Sequence, residues 1–374
     1  MNDLRNDPVR KLLINLATPS IIAQIVNVLY NIIDRIFIGR IPNGEIAMAG
    51  IGITFPIILL IMAFSVLFGL GGSPLCAIQM GAKNNDKAEE IMTQSFSLLI
   101  ISGIFLSVFF LIFNRPLLWF FGASEATIGY ATDYLDIYVI GTIFVQIALG
   151  MNPFINTQGY AKMSMATIVI GAFVNLILDP ILIFGFDMGV KGAAIATIIA
   201  QAVSAAWVMW FLTSKKSKLN IRRKYLKPTW SISSKITTLG ISPFIMQSTE
   251  SLVLITLNTQ LALYGGDLSI SAMAIMTSIL QIIQLPIRGI AQGAQPIVSY
   301  NYGAEQYDRV KHAFRLSLGT ALGYNLLFCG VLMSFPAMFV KIFNTNPELV
   351  DITSRYIRIY FIGLSIFGIQ MICQ

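Results

Sequence analysis

Long apolar runs separated by short polar stretches make up most of the sequence. A helix needs about 20 mostly apolar residues to cross the hydrocarbon core of a bilayer. Closed β-barrels are the only other solution in lipid, and they have short alternating strands instead of such runs. The pattern therefore predicts an all-α integral membrane protein with ten spans, TM1 to TM10. The spans cover residues 12–38, 49–76, 92–113, 130–154, 165–185, 190–212, 236–263, 270–298, 312–334 and 352–374.

Composition and charge agree with a membrane location. Hydrophobic residues make up 56% of the chain and charged residues 11%, and the mean hydropathy is +0.74; soluble domains carry roughly 25% charge. With the amino terminus inside, the cytoplasmic segments hold 17 Lys and Arg residues and the opposite side holds seven. This asymmetry predicts a multi-pass protein of the plasma or inner membrane with a cytoplasmic amino terminus.

The longest polar stretch covers residues 213–235, with eight basic residues and no acidic residue. We interpret it as a cytoplasmic linker that lies against anionic lipid and not as a nucleic-acid site. It divides the chain into an N-terminal lobe, 1–212 with TM1–TM6, and a C-terminal lobe, 236–374 with TM7–TM10.

The two lobes contain an internal repeat. Residues 134–141 and 356–363 are identical at five of eight positions with an offset of 222, and Gly81 and Gly303 align at the same offset. A parallel repeat of this kind is typical of transporters with a pseudo-two-fold axis along the membrane normal. Six spans before the linker predict six after it, so we expect a truncated chain whose complete form has about 444 residues, twice the offset.

Two sets of polar residues lie within the predicted spans, where they are costly and usually face a cavity. Gln24, Asn27, Asn31 and Asp34 form a stripe on TM1, and Asn175 and Asp179 share one face of TM5. A cavity role that holds a cation or a proton is one interpretation. The alternatives are a salt bridge of Asp34 with a nearby arginine and a location of Asp179 at the outer surface.

Other residues carry less specific signals. Glu250 is the only acid in TM7 and either pairs with Arg288 of TM8 or contacts substrate. Asp133 and Asp136 are expected at the membrane interface and not at a metal. In TM9, Gly319 and the glycine four residues later, at 323, predict close helix packing.

The sequence offers no catalytic residues and no cofactor site. A single histidine excludes mechanisms that need two imidazoles, and the absence of a Gly-Lys dipeptide excludes the usual phosphate-binding loop. We therefore expect no enzymatic activity.

Several segments together resemble the multidrug and toxic compound extrusion (MATE) family, in its bacterial MepA-like or DinF-like branch. The most specific are residues 28–39 (VLYNIIDRIFIG), 81–84 (GAKN), 151–159 (MNPFINTQG), 175–180 (NLILDP) and 192–197 (GAAIAT). The resemblance covers the whole chain.

This resemblance implies a bundle of two six-helix lobes, here reduced to about ten helices, that exports cationic or amphiphilic drugs by antiport with H⁺ or Na⁺. It implies a monomer with no cofactor and no nucleic-acid partner. Helix bending is implied at Pro19, and a second-lobe role in cation coupling or drug binding at Glu250. Cation coupling, and a Na⁺ site if Na⁺ is the ion, are implied at Asp34, Asn175, Asp179 and Thr197.

A lipid-linked saccharide flippase of the related superfamily is the alternative function. Such a protein would need a strongly cationic cavity for pyrophosphate, but Arg288 is the only basic residue deep within a predicted span. The sequence therefore favours cationic cargo.

Overall fold

The computed structural model describes the backbone of residues 2–343, 346–364 and 367–373. Side chains are described in these ranges except at 250–252, 254–255, 258–259, 261–268, 270, 274 and 364. The described chain contains no strand. Its α-helices are α1 (Val9–Ile38), α2 (Gly44–Gly81), α3 (Asn85–Phe120), α4 (Ile128–Ile140), α5 (Thr142–Thr157), α6 (Ala161–Pro180), α7 (Gly189–Thr213), α8 (Trp230–Gly303), α9 (Tyr307–Ser334), α10 (Pro336–Phe343), α11 (Pro347–Leu364) and α12 (Phe367–Cys373).

The prediction of an all-α membrane fold is confirmed. Among the described residues, seven helical segments are long and apolar enough to span a membrane, or nine if each of two bent pairs forms one span. One bent pair is α4 with α5, which meet at an angle of 58°, and the other is α11 with α12 at 40°. The apolar runs predict TM4 and TM10 as single helices, because hydropathy measures the length of a span and not its bends.

Helix α8 differs from the prediction, which placed two spans, 236–263 and 270–298, on either side of a short loop. The structure has one continuous helix, although a straight helix from Gly240 to Gly303 would be about 95 Å long. Gly240 lies against Leu67 and Gly303 lies against Ile78. Leu67 and Ile78 are only about 17 Å apart along α2. Helix α8 therefore turns back on itself while its backbone stays helical, and this satisfies backbone polar groups in an apolar environment.

Apolar side chains are buried between the helices and also cover much of the outer surface. Leu106 and Phe110 of α3 are each 2% exposed and lie in a core with α2 and α4. On the same helix, Phe105 and Ile112 are 60% and 64% exposed. A helix that is apolar all round suits a protein core on one side and lipid on the other.

The linker after α7 is docked on the protein. The side-chain oxygen Oε1 of Gln158, which is fully buried, accepts hydrogen bonds from Ser217 Oγ at 2.9 Å, Lys218 N at 2.7 Å and Leu219 N at 3.2 Å. Farther along, Gln94 Oε1 accepts from Thr229 N at 3.0 Å. The sequence predicts that this stretch lies against lipid; its backbone binds protein, while its basic side chains remain exposed.

Glu89 provides a buried charged contact for this docking. Its carboxylate is 5% exposed and accepts hydrogen bonds from Asn220 N at 2.9 Å and Arg222 Nε at 2.7 Å. The hydrogen bond to Glu89, and then the charge of Glu89, raise the pKa of the Arg222 guanidinium. A buried carboxylate with charge-assisted bonds can therefore hold the middle of the linker on α3.

Replacing Glu89 with Ala should release the linker. Two donors then lose their acceptor, so trypsin should cleave at the exposed lysines and arginines of 213–235 several times faster than in the wild type. The matched control is Glu125→Ala, which removes an exposed acid from the segment between α3 and α4, away from the linker. Equal cleavage rates in the two variants would contradict a docking role for Glu89.

Candidate functional site

The structure brings Asp34 of α1 and Asp179 of α6 into direct contact through their carboxyl groups. Asn175 lies one turn before Asp179 on the same helix face and donates from Nδ2 to Asp179 Oδ1 at 3.1 Å. Asp179 is fully buried and Asn175 is 2% exposed. Two acids and an amide from two helices therefore form one cluster within the membrane-spanning region.

The cluster contains acceptors without donors. Among the described residues, Asp34 Oδ1 and Asp179 Oδ2 are buried atoms with no hydrogen-bond partner. A buried carboxylate without a partner is costly, and two adjacent carboxylates repel each other when both are charged. A proton or a cation between Asp34 and Asp179 would relieve both costs.

The alternative of a salt bridge to a neighbouring arginine finds no support in the described residues. Asp34 has no ion pair there with Arg35 or Arg40. The Arg35 guanidinium lies over the ring of Phe55, 5.7 Å from its centroid. Its charge still acts on Asp34 through space, but it does not neutralise the carboxylate by direct contact.

Two tyrosines lie beside the acid pair and a third stacks on one of them, and the sequence patterns did not identify any of the three. Tyr30 lies near both Asp34 and Asp179, and Tyr134 lies near Asp34. Tyr134 and Tyr138 stack with their ring centroids 6.1 Å apart and are 5% and 4% exposed. One signal was available: Tyr30 precedes Asp34 by four residues and so shares its helix face.

A small cleft, lined by both apolar and polar side chains, adjoins the cluster between α1, α5, α6 and α7. Thr197 lines it together with Asn175, and its hydroxyl interacts with Tyr134; the part of the chain that the structure describes shows no contact of this hydroxyl with the two acids. The cleft has room for only a few water molecules. The other polar residues that line it are Asn27, Tyr30, Thr167, Gln201 and Ser204.

The remaining predicted site residues lie elsewhere. Pro19 is buried in α1, about 22 Å from Asp34 along the helix, and α1 continues through it. Beside it, Ser20 Oγ donates to Leu16 O at 2.9 Å. Glu250 falls outside the residues whose side chains the structure describes.

The acids of α4 have ordinary partners. Asp133 pairs with Lys191 at 3.4 Å, with both side chains about half exposed, and Asp136 accepts a hydrogen bond from Asn114. Within the described ranges, no group of three or more His, Cys, Asp or Glu side chains could hold a metal. The interfacial location of Asp133 and Asp136 stays a prediction.

The sequence has relatives of known name. The multidrug export protein MepA of Staphylococcus haemolyticus (strain JCSC1435) is 28% identical over 359 residues, which cover 96% of this chain and 79% of MepA. MepA of Staphylococcus aureus (strain MSSA476) is 26% identical over 363 residues, which cover 97% of this chain and 80% of that protein.

Solved structures share the fold. A multidrug resistance MATE family transporter of the MOP superfamily, in an outward-facing conformation, matches with a TM-score of 0.90 and 24% identity, covering 99% of this chain and 82% of the other. A MOP superfamily transporter from Pyrococcus furiosus matches with a TM-score of 0.89 and the same identity and coverage, 24%, 99% and 82%. The MatE family profile matches residues 19–181 and 243–374, more than half of the sequence. The chain therefore belongs to the MatE family, and its fold is that of the MATE transporters.

Proposed function

We propose that this protein is a secondary active multidrug efflux transporter that exports cationic and amphiphilic compounds by antiport with H⁺ or Na⁺. The observation that carries the proposal is the contact between Asp34 and Asp179, each with a buried oxygen that has no partner among the described residues. The names of the MepA relatives support the multidrug cargo. The protein acts as a transporter and not as an enzyme.

The proposed mechanism is competition between two cations. The coupling ion binds Asp34 and Asp179, α1 rearranges at Pro19, and a cationic drug loses its electrostatic partner and leaves. Proline supports this step because it removes one backbone hydrogen bond from the helix interior. Coupling works only if ion and drug differ in affinity for the two conformations, since equal binding shifts nothing.

Both candidate ions are compatible with the chemistry of the cluster. Asp34, Asn175, Asp179 and Thr197 offer oxygen atoms, which suit Na⁺. The direct contact between Asp34 and Asp179, however, is the arrangement of two carboxyl groups that share one proton. We therefore test H⁺ first and Na⁺ second.

The cargo would bind outside the cleft beside Asn175, which has room for water or an ion but not for a drug. We assign the cargo to the space between an N-terminal lobe, 1–212, and a C-terminal lobe, 236–374, with Glu250 on the second lobe. The protein lies in the plasma or inner membrane of the cell. Its amino terminus and the linker 213–235 face the cytoplasm. The transporting unit is a monomer.

Efflux of a fluorescent cationic dye from vesicles tests the function. The purified protein is reconstituted, dye is loaded, and a pH gradient or a Na⁺ gradient is imposed in separate samples. We expect one gradient to drive efflux and its collapse by an ionophore to stop it. Translocation of a pyrophosphate-linked lipid, without dye efflux under either gradient, would instead identify a flippase.

A further inference from the structure

Residues 2–8, which precede α1, are packed into the bundle. We call them the amino-terminal clasp. Leu4 is 2% exposed and lies in a core with Leu16 of α1, Ala161 of α6, Ile297 of α8 and Ala313 of α9. A short terminal segment is ordered only when it is tied down, and this one lies where four helix ends meet.

One end of the clasp is held by α8 and α9. Asn301, which is fully buried, donates from Nδ2 to Leu4 O at 3.0 Å. Arg309 donates from Nη2 to Leu4 O at 3.3 Å and to Asp7 O at 2.7 Å, and from Nε to Asn301 Oδ1 at 3.0 Å. A guanidinium that donates to two backbone carbonyls holds the backbone of the segment in one path.

The other end is held by α1, the turn between α5 and α6, and the linker. Asn2 Nδ2 donates to Gly159 O at 3.3 Å, and Asn15 Nδ2 donates to Asn2 Oδ1 at 3.0 Å. Asp3 interacts electrostatically with Lys218 of the linker. The clasp therefore joins the α5–α6 turn and the linker to the end of α8 and the start of α9.

We propose that Arg309 and Asn301 hold the amino-terminal clasp as a gate, which keeps the bundle closed on the face where α5 ends and α9 begins. The inference rests on the proposed transport function, in which cargo enters between the helices of 1–212 and those of 236–374 from this face. The clasp bridges these two groups of helices by hydrogen bonds at both of its ends. Opening the bundle requires breaking the hydrogen bonds at one end of the clasp. The bonds at the Arg309 end are the stronger, because hydrogen bonds from a charged donor are stronger than those between neutral groups.

Cysteine accessibility tests the gate. Ala294 of α8 is 6% exposed and lies beneath the clasp, in the same core as Leu16, so Ala294→Cys serves as the reporter in a Cys373→Ser background. The other two cysteines, Cys76 and Cys329, are buried. Labelling by a membrane-impermeant maleimide is followed in inside-out and right-side-out vesicles, with Arg309→Gln or Asn2→Ala added to the reporter.

We expect Arg309→Gln to speed labelling about tenfold, since a loss of about 1.4 kcal/mol from broken charge-assisted bonds shifts an equilibrium by that factor. Asn2→Ala breaks the opposite end of the clasp and should act in the same direction by a smaller factor. Both increases should occur only in inside-out vesicles. The matched control Arg315→Gln, an exposed arginine on the same helix, should label like the reporter alone.

Unchanged labelling in Arg309→Gln and Asn2→Ala, with a lower melting temperature in both, would show that the clasp only stabilises the fold and would overturn the gate. Faster labelling from the opposite face would overturn it as well. The labelling needs no ion gradient, so these results are independent of the dye assay. Absence of dye efflux in the wild type overturns the proposed function and leaves the labelling readout intact.

Discussion

Asp34→Asn is expected to abolish gradient-driven dye efflux, down to the level of vesicles without protein. An amide cannot bind or release a proton at neutral pH, and it cannot neutralise a cation. The substitution also leaves Asp179 without the second carboxyl group that it contacts, so the cluster loses the pair of acids for which drug and ion compete. Efflux rates under imposed pH and Na⁺ gradients measure the effect.

The control for Asp34→Asn is Asp133→Asn, which removes an acid that pairs with Lys191 and is 47% exposed. We expect it to transport at nearly the wild-type rate, because exposed ion pairs contribute little. Both variants should be recovered in the membrane at similar yield, since Asn is nearly the size of Asp. Normal efflux by Asp34→Asn would reject the acid pair as the coupling site.

Much of this architecture could be read from local patterns in the sequence. Apolar runs gave the helices, because length and hydropathy alone decide whether a segment can span a bilayer. The four-residue spacing of Asn175 and Asp179 put both on one helix face, and the structure has them hydrogen-bonded. Spacing within one helix depends only on helix geometry, so it can be predicted without knowing how the helices pack.

Contacts between distant segments could not be read in this way. Tyr134 reaches Thr197 and the charge of Asp34 only because α4 packs beside α7, and no periodicity in α4 encodes those neighbours. The docking of the linker on Glu89 could not be predicted for the same reason, since Glu89 and Asn220 are 131 residues apart in the chain.

The glycine pair at 319 and 323 shows the opposite error. The spacing predicted close helix packing, but an added methyl group at either position would meet nothing within 4 Å among the described residues. A small-residue pair permits close approach without requiring a neighbour. The prediction of packing at Gly319 and Gly323 was therefore wrong.

Gly81→Ala is expected to destabilise the protein severely, as is Gly303→Ala. A methyl group at Gly81 would overlap the carbonyl oxygen of Tyr300, and one at Gly303 would overlap that of Ile78. The two contacts are equivalent under the offset of 222, so the ends of α2 and α8 cross with their backbones in reciprocal contact. Backbone cannot rotate aside as a side chain can, and we expect a loss of about 3 kcal/mol or more for each variant, measured by thermal unfolding in detergent.

Gly323→Ala is the control that separates this overlap from the general effect of replacing a helical glycine. Alanine favours the helix over glycine by about 1 kcal/mol, and nothing obstructs a methyl group at 323, so this variant should be slightly more stable than the wild type. Gly81→Ala adds the same atoms and should change stability in the opposite direction. If all three variants were equally stable, the ends of α2 and α8 could not cross as closely as the structure has them. The reciprocal contact would then give no physical reason for a glycine at both 81 and 303.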